Sequence, residues 1–121
     1  LYQLTNNPVY LKEAQSIAKE CYNYFFYDFT PVSGEPFKKI KKGDIWFTAV
    51  MLRGFIELYH LDKNKTYLDA FNKSLDYAWE NARDEKGLFH TDLSGNKKDN
   101  KKWLLTQAAM IEMYSRLSAF E

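Results

Sequence analysis

The chain has 121 residues, 45% of them hydrophobic and 17% aromatic, which is enough apolar material for one packed domain and argues against disorder. Seventeen basic residues against sixteen acidic ones leave a net charge of +1, so no excess directs the chain to nucleic acid or an anionic membrane. The one cysteine, Cys21, excludes an internal disulfide, and no apolar run reaches the roughly 20 residues of a membrane span.

No signal peptide or transit segment is recognisable, and the chain opens on Leu1 rather than methionine, so residue 1 is not expected to be the natural start. The first clear helix starts at Asn7-Pro8. Asparagine can accept from the free amides of a first turn, and proline there loses no hydrogen bond. A single apolar stripe follows through Tyr10, Leu11, Ala14, Ile17, Ala18, Cys21, Tyr22 and Phe25, with charge on the other face. This predicts an amphipathic outer helix that runs into the aromatic cluster 22–29 and breaks at Thr30-Pro31.

Residues 28–43 read as a long loop, and the lysines at 38, 39, 41 and 42 as its solvated surface. Gly43-Asp44 is a turn into an N-cap. The helix that follows, to Asp62, is apolar nearly all round, interrupted only by Thr48, Arg53, Glu57 and His60. Such a helix belongs inside other helices. Arg53 and Glu57 are spaced as an i, i+4 ion pair, and His60 sits where a helix dipole favours a cation.

Asn64 is the expected cap of a second outer helix over about 65–83, with Tyr67, Leu68, Phe71, Leu75, Ala78, Trp79 and Ala82 as its stripe. Asp84-Glu85 reads as a helix-end turn, and Gly87 suits a left-handed C-terminal cap. Residues 88–95 are too short for a helix and read as extended, and 96–101 as a polar loop. A final helix, about 102–119, is apolar over most of its circumference and is a second inner helix.

A long-period repeat organises these elements. Leu1-Tyr2, Leu4, Asn7, Tyr10 and Leu11 match Leu58-Tyr59, Leu61, Asn64, Tyr67 and Leu68 at an offset of 57. Ile56-Glu57-Leu58-Tyr59 recurs as Ile111-Glu112-Met113-Tyr114 at an offset of 55. Alternating inner and outer helices in register are the mark of stacked helical hairpins. The fold class expected is all-α, an α/α-hairpin toroid. Leu1-Tyr2 falls at the end of an inner helix. Residues 1–121 are therefore expected to be part of one barrel domain whose remainder, or a second copy, covers the exposed inner helices.

The stretches Leu1 to Leu11, Met51 to Tyr59, Asp76-Tyr77-Ala78-Trp79, Gly87-Leu88-Phe89 and Gln107-Ala108-Ala109 together resemble the C-terminal portion of glycoside hydrolase family 76. The resemblance covers essentially the whole chain. It implies an (α/α)6 six-hairpin barrel that cleaves α-1,6-mannosidic linkages with retention. In that mechanism one aspartate of an adjacent pair is nucleophile and the other is general acid/base. This sequence has no Asp-Asp pair, so the resemblance implies that the catalytic pair lies outside it and that the chain alone is inactive. The implied partner is an oligo- or polysaccharide, the implied cofactor none, and the implied location extracellular, periplasmic or on the cell surface.

The resemblance also implies that the cleft opens where the inner helices begin. That end carries Trp46, Phe47 and Trp103, whose rings could face a sugar, and Asp44, an N-cap that could bond a hydroxyl. His90 and Asp92 on the neighbouring loop and Gln107 in the last helix complete the candidate substrate-binding set. His90 and Asp92 are too few for zinc, so no metal site is expected. The alternatives are another six-hairpin carbohydrate enzyme, such as an unsaturated glucuronyl hydrolase or a sugar epimerase, and a non-catalytic helical-repeat module that binds glycan.

Overall fold

The computed structural model describes residues 1–120 and is predominantly helical. In order come α1 (Tyr2–Thr5), α2 (Pro8–Phe25), strands β1 (Phe26–Phe29) and β2 (Phe37–Ile40), α3 (Ile45–Asp62), α4 (Thr66–Asn81) and α5 (Leu104–Ser118). Helix α3 packs against α5, and both α2 and α4 also pack against α3.

The turn that joins an inner helix to an outer one is built twice. Asn6 and Lys63 both adopt left-handed backbone (φ 53° and 57°) and donate their amides to Tyr2 and Tyr59. Asn7 Oδ1 accepts from the amide of Val9, and Asn64 Oδ1 from that of Thr66. The amides of Asn7 and Asn64 bond the side chains of Thr5 and Asp62. Every partner matches at the offset of 57, so α1 has the form of the last turn of α3. Asn64 does satisfy a first-turn amide, although the helix starts one residue later than predicted, at Thr66.

The segment 28–43 is not the loop that its lysines and prolines suggested. α2 ends at Phe25, and β1 pairs antiparallel with β2, Phe26 opposite Ile40 and Phe29 opposite Phe37. The aromatic residues that seemed to prolong α2 form a strand because α4 offers them a surface. Phe26 meets Phe71 edge-on, and Phe29 and Phe37 enclose Tyr77. The hydroxyl of Ser74 accepts from the amide of Ile40 and donates to the carbonyl of Lys38, which ties β2 to α4.

Nor is the lysine run uniformly solvated. Lys38 pairs with Asp28 across the strands at 3.0 Å. Lys39 is 1% exposed, with its ammonium over the rings of Phe29 and Tyr77 and bonded to the hydroxyl of Ser94. Burial pushes its pKa down, while Asp92 acts in the opposite direction.

The ion pair of α3 also differs from expectation. Arg53 does not bond Glu57; it donates from Nε and Nη2 to both carboxylate oxygens of Glu112 on α5, at 2.5 and 2.8 Å. Arg116 bonds the same carboxylate at 2.8 Å from one turn further along α5. An i, i+4 pair keeps both charges on one exposed strip, whereas this fork joins two inner helices and gains bidentate geometry. The hydrogen bonds from Arg53 and then Arg116 hold the Glu112 carboxyl down at about 2, against an ordinary 4.5. The unfolded chain therefore takes up this proton first as pH falls. The stability contributed is complete above about pH 4.5 and is lost as pH drops toward 2. Acid unfolding monitored by circular dichroism should show this loss between those values, and Glu112→Gln should flatten that limb of the profile.

Candidate functional site

The site lies at the end of the molecule where α3 and α5 begin, roofed by the connection between α4 and α5. Asp44 ends an extended approach and caps α3, its Oδ1 accepting from the amide of Trp46 at 2.9 Å. Trp46 therefore leaves the first turn in a fixed direction. One further contact holds it: the guanidinium of Arg53, already gripped by Glu112, sits 5.4 Å from the centre of its ring. Trp103 is the N-cap residue of α5 rather than part of its first turn, and its side chain is 70% exposed. A cleft of about 330 Å³ runs between these tryptophans, lined by Asp44, Ile45, Trp46, Thr91, Asp99, Lys101, Trp103, Leu105 and Thr106.

The roof, residues 82–103, is irregular but heavily braced. Residues 88–95 are not the extended segment predicted. Phe89 alone bridges to Arg83, and bends and turns follow. The amide of His90 donates to the carbonyl of Ala82 at 2.7 Å, and its Nδ1 accepts from the amide of Asp99 at 2.9 Å. Asp92 accepts from the amides of Ser94 and Lys97, and so folds the tip of the loop on itself. Gln107 clamps Phe89 by both its backbone groups, at 2.8 and 2.9 Å. Lys102 bonds the carbonyl of Asp99 and pairs with Asp84 at 3.4 Å. Asp84 also accepts from the amides of Lys86 and Leu88, and Gly87 (φ 81°) closes this turn rather than capping α4, which ends at Asn81.

Of the seven side chains singled out from the sequence, Asp44, Trp46 and Trp103 line the cleft together. His90, Asp92 and Gln107 do not line it; their polar atoms brace its roof. Phe47 points elsewhere, into an apolar groove between α2 and α3. Thr91, Asp99 and Lys101 were not predicted, because a polar loop residue carries no periodic signal of which way it faces; Thr106 lies within α5, whose apolar residues run over most of its circumference and so mark no cleft-facing side.

Asp99 is the second carboxylate of the cleft. Its Oδ2 accepts from the amide of Thr91 at 2.6 Å, and that bond, against the opposing effect of burial, holds its pKa below the usual carboxylate range. A carboxyl held in its charged form in this way accepts hydrogen bonds and donates none. Among the described residues no three side chains of metal-binding type converge, and no helix is long and apolar enough to cross a membrane.

Two solved structures share this fold closely. One is a family 76 glycoside hydrolase from a bovine Bacteroides thetaiotaomicron strain. It is 37% identical with a TM-score of 0.93, over 98% of this chain and 26% of that one. The other is a family 76 glycoside hydrolase (mannosidase) from Bacteroides thetaiotaomicron VPI-5482. It is 33% identical, also with a TM-score of 0.93, over 99% of this chain and 33% of that one. This chain thus spans only a quarter to a third of the length of either. No protein-family model matches the sequence, and no curated protein matches it significantly.

Proposed function

We propose that this chain, which its backbone and its residues relate to glycoside hydrolase family 76, forms the C-terminal part of an (α/α)6 barrel. In this reading the complete enzyme cleaves α-1,6-mannosidic linkages by a retaining two-aspartate mechanism. The observation that carries it is the cleft at the inner-helix starts, with two tryptophans and two hydrogen-bonded carboxylates, in a chain 33–37% identical to family members. Trp46 and Trp103 offer faces for the apolar sides of sugar rings, while Asp44, Asp99 and Lys101 are placed for hydroxyls. The nucleophile and the acid/base then come from the rest of the barrel. The neighbouring carboxylates of this chain are tied to backbone amides and serve to bind and orient.

The test has two arms. Purified residues 1–121 are expected to release no reducing sugar from α-1,6-mannan; measurable turnover would place the catalytic pair here and overturn the reading. In the full-length protein, Trp103→Ala should weaken binding of α-1,6-mannooligosaccharide about tenfold, or about 1.4 kcal/mol, measured by calorimetric titration. Because that side chain is largely exposed, the unfolding midpoint should scarcely move. Unchanged affinity would remove Trp103 from the site.

A further inference from the structure

The groove between α2 and α3 is a cavity of about 670 Å³, lined mostly by apolar side chains, with Gln3, Glu13 and Glu57 the polar ones. The repeat tells what is missing from it. On α4 the stripe Leu68, Phe71, Leu75 and Ala78 is at most 1% exposed, because α3 and α5 lie beneath it. On α2 the matching stripe is only partly covered, with Ala14 exposed and Leu11 and Cys21 half-buried. The same holds between the inner helices. Ala109 of α5 is fully buried, whereas its counterpart Gly54 on α3, at the offset of 55, is exposed and lines the groove.

Glu57, exposed on α3, lines the same groove. It is the repeat counterpart of Glu112, at the offset of 55, and Glu112 receives the fork of Arg53 from the preceding inner helix. Glu57 has no ion-pair or hydrogen-bond partner among the described residues. α1, whose closing turn matches that of α3 at the offset of 57, stands at the mouth of the groove with Leu1 and Tyr2.

We infer that the groove receives an inner helix of the same polypeptide, continuous with α1, and that a basic side chain on that helix pairs with Glu57 as Arg53 pairs with Glu112. The repeat fixes its place. Arg53 stands five positions before Leu58, and Leu58 matches Leu1, so the partner is the fifth residue upstream of Leu1. A second copy of this chain fits less well: aligned at the offset of 55, α5 would present Ala108 where the arginine is needed.

The inference rests on the barrel reading but has its own test. In the gene, the fifth codon before Leu1 should encode arginine or lysine; an acidic or apolar residue there overturns the pairing. Cys21, which lines the groove, reports its occupancy. In the full-length protein its alkylation by a maleimide, followed by peptide mapping, should be at least tenfold slower than in residues 1–121. Equal rates would overturn the occupant. Protection already present in residues 1–121, together with a dimer mass in sedimentation, would replace it with a second copy. Glu57→Lys should restore at least threefold of the reactivity, and a compensating change of the upstream basic residue to glutamate should suppress it again; the milder Glu57→Gln covers the case in which charge reversal prevents folding. Cys21 protection without mannan hydrolysis would remove the proposed function and leave this inference standing.

Discussion

Phe71→Ala is expected to lower stability by about 3–5 kcal/mol, the range for deleting a buried aromatic ring that its surroundings cannot refill. Phe71 is 0% exposed and stands where three elements meet. Its ring lies on α4, 5.3 Å from Phe26 of β1 and 5.9 Å from Phe55 of α3. Removing it separates the hairpin from α4 and opens the contact between outer and inner helix at once. Against a total stability of about 5–15 kcal/mol, typical of such domains, the loss would leave a fraction of the chain unfolded at ambient temperature. Urea unfolding followed by circular dichroism measures it. A loss below about 1 kcal/mol, the ordinary effect of a random substitution, would mean that the hairpin is not held through this ring.

Gly95→Ala should be the most damaging change to the site itself. Gly95 has φ 73°, where a side chain is disfavoured, and that strain is about 1–3 kcal/mol. The larger effect is steric: a Cβ built here would lie 1.8 Å from the carbonyl oxygen of Asn81 and 2.8 Å from its carbon. Both are backbone atoms at the end of α4, so the loop must lift away from the helix. The roof of the cleft is continuous with that loop through Asp92, His90 and Asp99. The amides of Thr91 and Asp99 should therefore exchange with solvent much faster, while those of α2 and the hairpin keep their protection. Gly87→Ala is the control. It has a comparable φ of 81° but open space around the added methyl, so it should cost only about 1 kcal/mol. If the two variants behaved alike, the close approach to Asn81 would not be what seats the roof.

The helices were legible because their signals are local. Asn7 and Asp44 cap where predicted, and the stripes of α2 and α4 repeat every three or four residues. The hairpin was not legible. Phe26 to Phe29 continues the apolar pattern of a helix, and four residues are too few to establish a strand by alternation. Only the facing surface of α4, with Phe71, Ser74 and Tyr77, makes an extended backbone the better way to bury those rings. Arg53 misled for a related reason. Its spacing to Glu57 satisfies the rule for neighbours on one helix, but a neighbouring inner helix brings Glu112 within reach of the whole guanidinium fork.

The site divides along the same line. The sequence placed Asp44, Trp46 and Trp103 at the ends of inner helices, and helix geometry brought them to one cleft. It placed His90, Asp92 and Gln107 nearby without distinguishing braces from binding groups, since an amide or an imidazole suits either task. The structure separated them by what their polar atoms already touch.

The sequence by itself determined the elements governed by backbone period and capping: amphipathic helices, helices apolar nearly all round, their order, and a repeat whose turn bonds match at an offset of 57. Only the tertiary structure decided which charges pair, how Lys39 comes to be buried, and which loop residues face the cleft. Those outcomes depend on groups far apart in the chain, such as Arg53 with Glu112 and Lys39 with Ser94. A periodic pattern records how a residue stands to its own helix axis, and says nothing of what packing sets opposite it.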